Sequence, residues 1–148
     1  VATFLYAFFA TAGFAVLFRA PYKAIAPAGL IGGIGWMVYI QFELSGMEVA
    51  GAAFFSALAI GMIGEIFAKK MKMPATTFVV PGIVTIVPGY GIYQSVLFMI
   101  QRNMDAASRE ATTVALIGVG IAVGILMASS FSRVLFRRFP GTNAGSGA

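Results

Sequence analysis

The chain has 148 residues, of which 59% are hydrophobic and 10% charged. A water-soluble domain carries about 25% charged residues, so this chain cannot cover a globule in water, but it can cover a helical bundle in lipid. It contains no cysteine and no histidine, which excludes disulfides, thiol nucleophiles, zinc centres and histidine general bases; an enzyme, a cofactor and a metal are not expected.

The apolar runs follow one another in chain order, each near the ~20 residues that cross the hydrocarbon. Val1 to Phe18 is uncharged and ends at Arg19. It lacks the basic start and small-residue end of a signal peptide, so it reads as a membrane helix. Ala24 to Phe42 is the second run, with Pro27 in its first turn, where a missing N–H costs little. Val49 to Gly64 is the third, extended through Ala68. Met73 to Gln101 is the fourth, too long for one straight crossing and too short for two. Ala111 to Ser132 is the fifth, with Asp105 as a plausible N-cap of a helix leading into it. The expected fold is an all-α integral membrane protein with about five transmembrane helices. Residues 1–139 form the membrane domain, and the Gly/Ser/Asn-rich residues 140–148 a disordered tail.

Net charge is +5. The bases sit in short loops between apolar runs and leave no polar face for a contiguous patch, so nucleic acid is not an expected partner. Arg19 and Lys23 follow the first run, Lys69, Lys70 and Lys72 the third, and Arg133, Arg137 and Arg138 the fifth. Putting these three clusters in the cytoplasm leaves only Arg102 and Arg109 outside. That arrangement requires the fourth run to cross once, with the N-terminus out and the C-terminus in.

Gly29 and Gly33, Gly120 and Gly124, and the series Ala53, Ala57 and Gly61 repeat at a spacing of four. Small residues on one helix face let backbones approach closely, either within the bundle or at a subunit interface. Trp36 and Tyr39 read as packing or interface residues.

The fourth run holds Val-Pro81-Gly82 and Val-Pro88-Gly89, seven residues apart. Each proline removes a donor and each glycine lowers the cost of leaving the helix, so the two Pro-Gly pairs predict a helix broken between Pro81 and Tyr90. Irregular backbone at membrane depth must be buried in protein or line a cavity, and in transporters such breaks face the substrate. The candidate substrate path is therefore Pro81, Gly82, Thr85, Pro88, Gly89, Tyr90, Tyr93 and Gln94, with Tyr90, Gln94 and Gln101 on one helical face and Thr76 and Thr77 nearby. The competing reading is a kink satisfied by neighbouring helices, with Tyr and Gln as interfacial anchors. Glu65 lies within an apolar run and is a candidate for proton coupling; a salt bridge to Lys69, four residues on, competes with that role.

Glu65-Ile-Phe-Ala-Lys-Lys-Met-Lys-Met-Pro74-Ala-Thr, then Pro81-Gly82, Val87-Pro88-Gly89 and Gly91-Ile-Tyr93, resembles the second half of the threonine/serine exporter family. As a separate chain it looks like the family's small, YjjB-type subunit. Gly13-Phe-Ala-Val-Leu-Phe18 with Pro21, and the Gly-rich second run, are similar too. One departure is Thr85, where many members carry a third proline. The resemblance implies export of a small metabolite across the bacterial cytoplasmic (inner) membrane, threonine or serine in fused members and succinate in a two-component version. It also implies a larger membrane subunit carrying the missing first half, within a hetero-oligomer.

The function expected is thus a subunit of a secondary transporter exporting a small carboxylate-bearing metabolite. A channel-like oligomer and a non-transporting scaffold subunit are the alternatives. No G-x-x-x-x-G-K-[ST] segment occurs, so the energy source is a gradient or another chain.

Overall fold

The structure, a computed structural model, describes residues 2–137. These form α1 (Ala2–Leu17), α2 (Tyr22–Leu44), α3 (Val49–Met71), α4 (Thr76–Ile83), α5 (Gly89–Ile100) and α6 (Met104–Arg137), with no strand among the described residues. The expected tail, 140–148, lies outside them.

Three helix ends share one device. After α1, Arg19 takes a left-handed φ of 56°, and Ala20 N–H bonds back to Ala15 at 2.9 Å. After α3, Lys72 has φ 54°, with Met73 N–H on Ala68. After α5, Arg102 has φ 59°, with Asn103 N–H on Phe98. Each is a Schellman-type end that satisfies orphan carbonyls, with a cation where glycine is the usual residue. The cation gains from the negative end of the helix dipole.

Two helix starts differ from expectation. Pro21 (φ −54°, ψ 140°) starts α2 at Tyr22, so Pro27 sits in the second turn, not the first. At α6 the cap is Asn103, whose Oδ1 accepts Ala106 N–H at 3.2 Å; Asp105 falls inside the first turn. Asn103 wins because the Schellman end of α5 already fixes it outside both helices, where an Asn side chain can cap.

The fourth apolar run forms α4 and α5, and helical structure lapses over residues 84–88. The first Pro-Gly pair does not break the helix: Pro81 and Gly82 lie inside α4. Pro81 stands just past the first turn, so few ladder bonds are lost. Gly82 serves close packing, since a Cβ there would come within 2.9 Å of Ile60 Cγ2. The second pair sits at the interruption. Pro88 has φ −78° and ψ 58°, and Gly89 N–H bonds to Val87 O at 2.8 Å, the geometry of an inverse γ-turn.

The helices pair in a definite sense. Ser56 on α3 donates to Gly35 O on α2 at 2.6 Å, and Phe42 stacks on Phe55, so α2 and α3 are antiparallel. Gly61 faces Ala128, Gly120 faces Ala50, and Gly124 faces Phe54 and Ala57, so α3 and α6 run parallel along the small-residue faces. On α4, Gly82 meets Ile60, Val79 meets Gly64, and Phe78 lies beside Phe67, which makes α4 antiparallel to α3. Gly91 on α5 meets Val114 and Glu110 on α6, across a short antiparallel turn. From these pairings α4 and α5 progress in the same sense. The core holds Ala28, Ile31, Ala57, Ile60 and Phe78, all fully buried. It is built largely of alanines because backbones this close leave no room for more.

By length and composition, α2, α3 and α6 can cross a membrane, and α1 is a shorter apolar helix of 16 residues. Large apolar side chains cover much of the outside, among them Phe9, Leu17, Val119, Leu126 and Phe131. In water such a surface is an association hazard; in lipid it is the expected coat.

Candidate functional site

α4 is seated among α1, α2 and α3, and its buried side carries Phe78, Val79, Pro81 and Gly82. Two cavities open beside α1, one against α4 and one against the interruption that follows it. One, of about 350 Å3, takes Arg19 and Pro21 from the end of α1, and Thr76, Thr77, Val80 and Pro81 from α4. The other, of about 310 Å3, takes Thr3, Tyr6, Ala7 and Ala10 from the start of α1, Trp36 from α2 and Thr85 from the interruption. Both sit near the lower end of the ~300–1,000 Å3 typical of small-ligand pockets. The first is the more polar and lies at the end that also carries Lys72. The second is mainly apolar, with hydroxyls and the indole at its edge.

The expected path residues divide between two places. Pro81 and Thr85 line the cavities, one each. Thr85 Oγ donates to Gly82 O at 3.0 Å, satisfying a carbonyl just before the interruption. Gly82 is buried beside Ile60 and Ile31. Pro88 forms the turn, and Gly89 faces open space. Tyr90 and Tyr93 point outward from α5, 74% and 61% exposed, and line neither cavity. Gln94 Nε2 donates to Tyr90 Oη at 2.9 Å, so those two share a face as expected. Gln101 is the C-cap of α5 and does not extend that face as a helical residue.

Glu65 stands apart from both cavities. Ser132 Oγ donates to Glu65 Oε2 at 3.2 Å and accepts from Lys69 Nζ at 3.3 Å. The acid, the lysine and the serine thus link α3 to α6 one turn beyond the Gly61–Ala128 contact. No group of three or more metal-ligating side chains occurs among the described residues.

Sequence reasoning did not place Thr3, Tyr6, Ala10 or Trp36 at a cavity. Each looks like an ordinary apolar-helix residue, and only the three-dimensional pairing of α1 with α4 brings them together. Trp36 stacks on Tyr39 with centroids 5.4 Å apart, so the packing role expected for the pair holds while one ring also lines the cavity.

The family described as threonine/serine exporter, ThrE, matches residues 3–131. A probable threonine/serine exporter of Mycobacterium tuberculosis (strain ATCC 25618 / H37Rv) is 25% identical over 115 residues, which is 74% of this chain and 22% of that protein. An uncharacterized protein of Haemophilus influenzae (strain ATCC 51907 / DSM 11121 / KW20 / Rd) is 26% identical over 97 residues, 66% of this chain and 33% of that one. The chain therefore spans no more than a third of the length of these relatives. No solved structure matches it. The match runs through every described helix: the chain belongs to the threonine/serine exporter family.

Proposed function

We propose that the chain is the membrane subunit of a secondary exporter for a small carboxylate-bearing metabolite, threonine or serine or a dicarboxylate such as succinate. One observation carries the reading: an interrupted helix, α4–α5, borders two cavities of metabolite size, one at α4 and one at the interruption itself. Irregular backbone in a bilayer is tolerated where it lines such a space. Arg19 at the first cavity offers a cation to a carboxylate.

The parallel pairing of α3 with α6 supports a single crossing by α4 and α5 together, and so five crossings in all. With the base clusters in the cytoplasm, that gives N-terminus out and C-terminus in, in the bacterial inner membrane. The remaining length of the relatives supports a larger partner subunit, and the exposed α5 face with Tyr90, Tyr93 and Gln94 is the surface left for it or for further copies. Glu65, which accepts a hydrogen bond from Ser132, is the acid assigned to proton coupling.

The test is reconstitution of the chain with its co-expressed partner into proteoliposomes, with counterflow of labelled threonine, serine and succinate. Flux that depends on a proton gradient is expected. Flux indifferent to the gradient would make the assembly a channel, and flux by the partner without this chain would make the chain a scaffold.

A further inference from the structure

The two cavities lie at opposite ends of one seam. On α1, the residues of the second cavity end at Ala10 and those of the first begin at Phe18. From α4 the first takes residues up to Pro81, and the second takes Thr85 from the interruption that follows. Between them the bundle is closed: Ala15, Ile31 and Thr11 have no exposed surface. Thr11 sits in this closed stretch, one residue past Ala10, packed on α2 so tightly that a Cβ at Gly32 would overlap its hydroxyl. Its Oγ has no hydrogen-bond partner. A threonine on a helix can ordinarily reach the carbonyl four residues back, and the other helical threonines on α6, Thr112 and Thr113, do so. A fully buried hydroxyl left unpaired is disfavoured unless another state of the protein gives it a partner.

We infer that the solute moves along the α1–α4 seam between the two cavities, and that Thr11 Oγ is the hydrogen-bonding group for its carboxylate or ammonium at the closed midpoint. The inference rests on the transport reading for the nature of the solute, and on the seam's geometry for the route. In the closed state the hydroxyl waits without a partner. When α1 parts from α4 and joins the cavities, the hydroxyl donates to a carboxylate oxygen or accepts from an ammonium. The outward face of α5, with Tyr90 and Tyr93, is not on this route.

The chain has no native cysteine, so single cysteines report without background. Ala10→Cys, Thr77→Cys, Tyr93→Cys and the outward-facing control Val119→Cys are made in the full chain, in the membranes of the cells that produce it. They are labelled from each side with a positively charged methanethiosulfonate, with and without threonine and succinate as probes. Ala10→Cys and Thr77→Cys are expected to label from opposite sides and to be protected by a probe, while Tyr93→Cys and Val119→Cys are not. Thr11→Val, which keeps shape and removes the hydroxyl, is expected to slow efflux by about tenfold or more, the usual cost of one hydrogen bond to a charged group, while unfolding at the wild-type temperature or above. Thr11→Ser, which restores the hydroxyl, is expected to recover efflux relative to Thr11→Val. A Thr11→Val chain that exports at the wild-type rate, or protection at Tyr93→Cys in place of Ala10→Cys, overturns the seam route. If the unaltered chain gives no flux but the seam cysteines are still protected, the transport reading fails and the binding route stands.

Discussion

Replacing Gly124 by alanine places one methyl where α3 and α6 touch. The new Cβ would lie 2.6 Å from Phe54 O, 2.9 Å from Ala57 Cβ and 3.0 Å from Leu58 N. Two of these are backbone atoms that no rotamer change can move. A carbon against a carbonyl oxygen settles near ~3.3 Å or beyond, so the helices must part by about 0.7 Å at this point. A gap of that size forfeits roughly a quarter to a half of each dispersion contact along the seam, and overpacking of this kind costs about 1–3 kcal/mol. Gly120→Ala is its companion, with a Cβ 2.5 Å from Ala50 O. Gly118→Ala is the internal control: it lies on the same helix with nothing within 4 Å, and helix propensity favours the alanine by about 0.5–1 kcal/mol. Thermal unfolding in mild detergent, followed by scanning fluorimetry, should show Gly124→Ala and Gly120→Ala lowered by roughly 3–10 °C, at about 2–4 °C per kcal/mol. Gly118→Ala should be unchanged or raised. Unfolding of all three within about one degree of each other would refute the packing argument, because the three then differ only in position.

Lys72→Gly relieves a left-handed residue worth about 1 kcal/mol and should raise the unfolding temperature by about 2–4 °C; a fall would mean that the dipole and charge terms outweigh the backbone cost. Glu65→Gln should lower proton-coupled export by more than about tenfold if the acid carries the proton, read as initial efflux rates across a pH series; an unchanged rate and pH profile would assign Glu65, with Ser132, to holding α3 against α6. A reporter fused after Phe139 should give a cytoplasmic signal, and a periplasmic one would overturn both the orientation and the single crossing assigned to α4 and α5.

The apolar runs were legible because each is bounded by charge or by proline, and the place of the interruption was legible from Pro88-Gly89, whose turn needs only local backbone chemistry. The role of Pro81-Gly82 was not. Whether a Pro-Gly pair breaks a helix or lets it pack depends on what stands opposite, here Ile60 from another helix. The Tyr90–Gln94 pairing followed from helical spacing. The side on which it would face did not, because apolar residues surround α5 on every side and lipid-exposed and protein-facing surfaces have similar composition. Thr11 and Trp36 carried no sequence signal for the same reason. The Ala53-Ala57-Gly61 and Gly120-Gly124 spacings did signal close packing, but not that they would meet each other in parallel.

That parallel contact has a consequence for biogenesis. The Ser132–Glu65 link joins residues 67 apart in the chain. At about 5–20 residues per second, α3 waits roughly 3–13 s in the bilayer before its partner is made. During that interval the α3 face holding Ala50, Phe54, Ala57 and Gly61 lacks the helix that covers it in the finished fold, while α4 and α5 are made. The last helix therefore acts as a latch. It is made after α4 and α5 and closes on the α3 face that its glycines match.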